Sequence, residues 1–314
     1  LKKLLIAFVM SGLLATLAYA QTPTPNITPT PDPFVLPTPL EQASLTTADA
    51  YLERGINWYN KSQFVYAKED FISASTLDPD NENAVIWQAR TLTELGELEP
   101  AIVLMTAWLE QSPQSYRALT LRGYARLMGG DLTGEEDIQA ANALNANDAL
   151  HYYYLGLYYT ALSDYDGAII VLEQANTLAP DTLDIINARG IAYHGAGRNE
   201  AALTEFDRAI ALDASSVLAY VNKALLYRKL GQLTNAQDNI TLALQVDEQY
   251  ALAHMLRALI YIQQGNASTT VEAYTALYEN ALQSLEAYLQ AEHPARASSS
   301  MLSLRVQLLQ LLGQ

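Results

Sequence analysis

Small residues return every 34 positions along most of this chain. Gly55, Ala89, Gly123, Gly156, Gly190, Ala224 and Ala258 are separated by 34, 34, 33, 34, 34 and 34 residues. Their surroundings return with them. Three positions after each stand Trp58, Leu92, Arg126, Tyr159, Tyr193, Tyr227 and Tyr261; four before stand Tyr51, Val85, Leu119, Tyr152, Ile186, Tyr220 and His254. Spacings of three and four share one face of an α-helix. A small residue at the centre of that face lets a neighbouring helix approach where a large side chain would hold it off.

A second amphipathic stretch follows. Its inner face reads Ala67/Phe71/Ala74, Ala101/Met105/Trp108, Ala168/Leu172/Ala175, Ala202/Phe206/Ala209 and Ala236/Ile240/Ala243. Between the two stretches, Gly96, Gly130, Gly197, Gly231 and Gly265 are predicted to leave the first helix in a left-handed conformation. LDPD at 77–80, QSP at 111–113 and LAPD at 178–181 separate one pair from the next. Proline stops a helix yet fits the first turn of another.

This pattern resembles the tetratricopeptide repeat family, whose helix-turn-helix unit has the same 34-residue period. Sel1-like repeats have a slightly longer period and would not keep the spacing. The resemblance covers repeats 48–81, 82–115, 116–148, 149–182, 183–216, 217–250 and an expanded one at 251–294. It implies an all-α fold: a right-handed α-solenoid of about seven helix-turn-helix repeats with a C-terminal capping helix. The solenoid is expected over 45–294 and the cap over 295–314.

Three departures stand out. The third repeat is one residue short, has Arg126 where an aromatic usually packs, and has a poor second helix (Gly134, Ile138, Ala141); a weak joint is expected there. The second has Trp108 where alanine is usual, which needs extra space. The last carries an insertion between Gly265 and Ala281. Thr270 to Leu289 reads as one long helix, with Val271, Tyr274, Leu277 and Leu285 as its buried positions. After Pro294, a final helix over 298–312 is apolar on most sides. Solenoid ends need covering, so capping is its expected role; a homodimer contact through this helix is the alternative.

The chain opens with a signal-peptide pattern. Lys2 and Lys3 precede an apolar run from Leu4 to Ala15, and Ala18-Tyr19-Ala20 supplies small residues where a signal peptidase reads. Cleavage after residue 20 would leave no membrane-inserted segment; the alternative is a retained anchor, for which the run is short. The protein is therefore expected to be exported, to a periplasm, cell surface or medium. Residues 21–44 form a Thr/Pro-rich linker, which proline chemistry makes an extended spacer. The net charge of −16 becomes −18 once Lys2 and Lys3 are gone, which excludes nucleic acid as a partner. With no cysteine in the chain, disulfides, thiolate metal sites and cysteine nucleophiles are excluded together.

Family resemblance implies that the first helix of each repeat lines a concave groove. The groove positions lie three before, one after and four after each small residue. The expected partner-binding residues are Tyr124 and Leu127, Tyr153 and Leu157, Asn187, Ile191 and His194, and Val221, Leu225 and Arg228. The outer repeats supply Leu52, Ile56 and Tyr59, Ile86, Arg90 and Thr93, and Met255, Leu259 and Ile262. Such a surface suits a helix or extended peptide with large apolar side chains. The groove is either open or filled by the chain's own C-terminal helices. Some family members grip a chaperone's C-terminal carboxylate with Lys, Asn and Arg; those positions here hold Leu52, Ile56 and Ile86, so that clamp is missing.

Nothing in the sequence carries a catalytic motif. The four histidines, His151, His194, His254 and His293, include no pair at metal-ligand spacing, and no HExxH, GxxxxGK[ST] or GxSxG occurs. No cofactor is expected. Glu135 and Glu136 read as a solvated acidic pair. The expectation is an exported, non-catalytic adaptor that holds other proteins. The alternative is a glycan- or peptide-binding module built on the tyrosines at 152–154 and 158–159, among which Tyr153 is expected to face the groove.

Overall fold

A computed structural model describes residues 45–60, 63–144, 147–291 and 299–313. The signal-like segment 1–20, the linker 21–44, His293 and Pro294 lie outside them. The described residues form fifteen α-helices and no strand. They are α1 (Ala48–Asn60), α2 (Phe64–Leu77), α3 (Glu82–Glu94), α4 (Leu98–Gln111), α5 (Tyr116–Met128), α6 (Gly134–Leu144), α7 (Ala149–Ala161), α8 (Tyr165–Leu178), α9 (Leu183–Gly195), α10 (Asn199–Leu212), α11 (Val217–Lys229), α12 (Leu233–Val246), α13 (Ala251–Ala267), α14 (Val271–Ala291) and α15 (Ser299–Leu312).

Two compact units divide the chain, with the boundary between Tyr158 and Tyr159 inside α7. In the N-terminal unit each of α1 to α6 packs on the next, while α1, α3 and α5 also lie side by side. In the C-terminal unit each of α8 to α15 packs on the next, and α9, α11 and α13 lie side by side.

The small residues act as their spacing predicts. A Cβ placed on Gly55 would stand 2.6 Å from the Phe71 ring, and one on Gly190 would meet Phe206. Phe71 and Phe206 are themselves buried, as are Ala67, Ala74, Ala202 and Ala209 on either side of them. Each ring thus sits on the bare backbone of the preceding helix. Where alanine replaces glycine, at Ala89, Ala224 and Ala258, it is fully covered.

Gly96, Gly130, Gly197 and Gly231 have φ between 73° and 83°, the left-handed conformation that closes a helix. In the fourth repeat Ser163 takes this role with φ 61°. Gly265 does not: it lies inside α13, and a Cβ there would stand 2.6 Å from the Tyr278 ring. The insertion has therefore lengthened α13 past its expected turn and given it a ring-on-glycine contact in addition to its covered Ala258. The register of α14 shifts accordingly. Val271 is 60% exposed, and the buried face is Tyr278, Ala281, Ser284, Leu285 and Tyr288.

Buried ion pairs reinforce several repeats. Arg54 grips Asp70 with two bonds of 2.7 Å. Arg122 grips Asp137 at 2.8 and 2.6 Å, and Arg189 reaches Glu205 at 3.3 Å. In each case the cation precedes the small residue and the acid precedes the large residue of the second helix. The third repeat, expected to be weak, uses this device twice: Arg126, which replaces the usual aromatic, adds a third bond to Asp137 at 2.7 Å. Its short α6 also brings Gly134 directly onto the Gly123 carbonyl. Glu135 and Glu136 are exposed at the start of α6, where a helix dipole favours them.

At the C-terminal end, Met255, Leu259 and Ile262 of α13 are buried in one cluster with Tyr278, Leu285 and Tyr288 of α14 and Met301, Leu304 and Leu308 of α15. The groove positions of the last repeat are filled by the chain's own helices. The final helix covers this core with one face and leaves Leu302 and Val306 about half exposed on the other; Arg305 ties it to Glu286 at 2.7 Å.

Gly190→Leu should destabilise the C-terminal unit by about 3 kcal/mol through overpacking against Phe206, read as loss of amide protection across α9 to α12; a variant as stable as the parent would break the helix pairing. Ser163→Gly should stabilise by about 0.5 kcal/mol, because relief of left-handed strain outweighs the added chain entropy. An upward shift of the urea midpoint checks it.

Candidate functional site

The expected partner-binding residues fall in both units, and in each the first helices bring them to one row. In the N-terminal unit that row is occupied by an aromatic cluster. The Arg90 guanidinium lies 4.3 Å from the Trp87 ring centre and 5.1 Å from that of Tyr59, and its Nε donates to the Tyr154 hydroxyl at 3.3 Å. Tyr154, 1% exposed, has its ring 4.8 Å from Tyr124 and 5.1 Å from Tyr153. Tyr124 and Tyr153 thus come together through a residue that register had not assigned to the site.

Tyr153 is 8% exposed and Tyr152 half-buried, the reverse of their expected orientation. The physical reason is the side-by-side packing of first helices, which turns the position three before the small residue into a seam. Ile86, Thr120, Asn187 and Val221 occupy it in other repeats and all are buried. Leu127 turns towards α6, where a Cβ on Gly134 would stand 2.7 Å from its Cγ. Leu157 is half-buried.

In the C-terminal unit Ile191 packs on the cluster of Ala202, Phe206 and Leu226. Val221 is core in a second cluster, with Ala224, Ile240 and Leu256, and Leu225 leans on that one. The polar members differ. Asn187 is 4% exposed and its Oδ1 finds no partner; Nδ1 of His194 and Nε of Arg228 are likewise buried without one. Burial, helped by the positive charge of Lys229 and opposed by a hydrogen bond that the ring donates to Asn199, lowers the His194 pKa to about 4. His194 is therefore neutral at physiological pH. Burial also pulls the Arg228 pKa down.

The remaining described histidines are structural. His151, 1% exposed, bonds Thr120 Oγ1 through Nδ1 and Asn142 Oδ1 through Nε2, each at 2.8 Å; burial lowers its pKa against the pull of Asp148. Neutral imidazole satisfies both bonds, with the Thr120 hydroxyl donating to Nδ1. His254 is 7% exposed and meets the Glu248 carbonyl at 2.8 Å. No group of three His, Asp or Glu able to hold a metal occurs among the described residues, and no described helix is long and apolar enough to cross a membrane.

Sequence reasoning missed the ion-paired arginines and the Trp87–Arg90–Tyr154 cluster. A cation 15 or 16 residues before an acid in repeats one, three and five was the available signal for the first. The second joins residues 64 apart and had no local signal. With Tyr153 packed, Tyr153→Ala should cost about 3 kcal/mol of stability rather than leave the melting temperature unchanged, and thermal unfolding of the purified variant decides between the two.

A tetratricopeptide repeat family model matches residues 152–182 and 217–250. The peroxisomal targeting signal receptor of Eremothecium gossypii is 26% identical over 195 residues, which is 61% of this chain and 34% of the receptor. The chain thus spans about a third of the length of that curated relative. Among solved structures, a tetratricopeptide repeat protein from Parabacteroides merdae is similar with a TM-score of 0.56 at 17% identity, covering 83% of this chain and 98% of that one. Human IFIT1, solved as a dimer with PPP-AAAA, gives 0.60 at 17% identity over 85% and 69%. These likenesses establish the fold, an all-helical array of helix pairs like that of tetratricopeptide repeat proteins, and the family model matches two stretches of it.

Proposed function

We propose that this protein is an exported, non-catalytic adaptor that holds a peptide or helix of another protein along the inner row of its first helices. Tetratricopeptide repeat proteins generally mediate protein–protein interactions, which supports the coarser part of this reading. The observation that carries the finer part is that, of the five buried polar atoms left without partners on α9 and α11, three stand at inner-row positions: Asn187 Oδ1, His194 Nδ1 and Arg228 Nε. Buried polar groups are nearly always hydrogen-bonded, so three orphans on neighbouring helices suit a row that is completed by something bound there. Half-buried Ile191 and Leu225 beside them offer apolar contact.

Export rests on the Lys2-Lys3 start, the apolar run and Ala18-Tyr19-Ala20, with the 21–44 linker as a spacer behind them. A glycan-binding module loses its main support, because Tyr153 and Tyr154 are packed inside and offer no open stacking face.

A photo-crosslinking residue placed at His194 should capture one protein in stoichiometric yield from envelope or medium fractions of the source cell. The same group at Ile170, 60% exposed on α8, should capture nothing reproducible. Equal capture from both positions, or capture from Ile170 alone, would sink the inner-row reading.

A further inference from the structure

Arg228 carries a charge into the protein interior with no anion to meet it. It stands in the last turn of α11 and is 5% exposed. Its Nη1 donates to Gln263 Oε1 on α13 at 3.4 Å, a long contact with a neutral group. Nε is buried without an acceptor, and no carboxylate of a described residue lies within ion-pair distance. The other arginines packed between helices behave differently: Arg54, Arg122 and Arg189 each hold a carboxylate of their own repeat.

The surroundings add no compensation. Lys229, the next residue, is exposed and also makes no ion pair among the described residues. His194, at the equivalent position one repeat earlier, contributes an unpaired Nδ1 and no negative charge. A buried guanidinium without an anion is costly, and a chain with 34 acidic residues had ample means to pair it. The unmatched edge is the one formed by Nε and Nη2, which a carboxylate grips with two parallel bonds.

We propose that Arg228 is the docking point for an acidic side chain, Asp or Glu, of the bound partner, which enters at the C-terminal end of α11 and takes the Nε/Nη2 edge. This inference rests on the inner-row reading above and names the chemistry that the row selects. Arg228 is 5% exposed, and so covered a position suits a carboxylate on a slender side chain better than a chain terminus, which brings its own backbone amide and side chain on the adjoining carbon. The acidic balance of the chain then acts as a filter: it weakens the approach of acidic segments in general, while Arg228 rewards a carboxylate placed at this inner position.

The test uses three small probes on the full chain at constant ionic strength, read by the Arg228 Nε–H resonance. Nα-acetylglutamate amide, whose only charge is the side-chain carboxylate, should shift that resonance saturably, and Nα-acetylglutamine amide should not. Nα-acetylglutamine with a free α-carboxylate should act at least tenfold more weakly. Arg228→Met should abolish the response at Gln263 and His194 while melting no lower than the parent, because it removes a buried unpaired charge. Silence at Arg228 with both carboxylate probes overturns the proposal; a response to the free α-carboxylate alone assigns the site to a chain terminus instead. A fall in melting temperature for Arg228→Met would make the guanidinium structural and also overturn it. Crosslinking at His194 keeps the two readings separate: its failure with an intact probe response would remove the adaptor function and leave the anion site, and the reverse outcome would remove only the anion site.

Discussion

The contact on which the repeats depend is a large side chain of the second helix resting on a small residue of the first, and in its tightest form it is a ring on bare backbone. Phe71 on Gly55, Phe206 on Gly190 and Tyr278 on Gly265 place two helices closer than any side chain on the glycine would allow. The contact joins residues 13 to 16 apart, so it forms within one helix pair and needs no distant partner. Each pair still has an open face, which the next pair covers, and stability therefore accumulates by nearest-neighbour packing. The last repeat shows how far this device tolerates change. An insertion moved the turn beyond Gly265, yet the glycine acquired its own ring, and the pairing survived with longer helices.

Charge inside the protein follows a stricter rule than charge outside it. Asp70, Asp137 and Glu205 are nearly inaccessible, and each is gripped by an arginine of the partner helix. Such pairs contribute little net stability once desolvation is counted, but breaking one leaves an uncompensated buried charge. They therefore fix the register of one helix against the other more than they strengthen the repeat. In the third repeat this matters most, because α6 is short and Arg126 has displaced the usual aromatic; three bonds to Asp137 hold what packing alone does not.

The inner rows of the two units differ in what occupies them. In the N-terminal unit Tyr59, Trp87, Arg90, Tyr124, Tyr153 and Tyr154 satisfy one another. In the last repeat α14 and α15 bury Met255, Leu259 and Ile262. Between these closed stretches, α9 and α11 retain polar atoms that nothing among the described residues satisfies. Self-filling at some positions and not at others localises the proposed binding chemistry to a few residues.

Periodicity by itself determined the helix pairs, the residues at their centre and the turn glycines Gly96, Gly130, Gly197 and Gly231, because a helix face is written at spacings of three and four and needs no knowledge of the rest of the fold. The family resemblance, laid on that register, marked Asn187, His194 and Arg228 as inner-row positions. The direction of the tyrosines was not legible: Tyr152 and Tyr153 are adjacent, and which is buried depends on how closely neighbouring first helices lie. The role of Gly265 was equally hidden, since a glycine reads the same whether it ends a helix or receives a ring. Tertiary structure alone decided that Arg126 would join Arg122 on Asp137, that the C-terminal helices would close the last repeat, and that Arg228 would be left without an anion. Each depends on which side chains of different helices come within a few ångströms, a quantity that spacing along one helix does not contain.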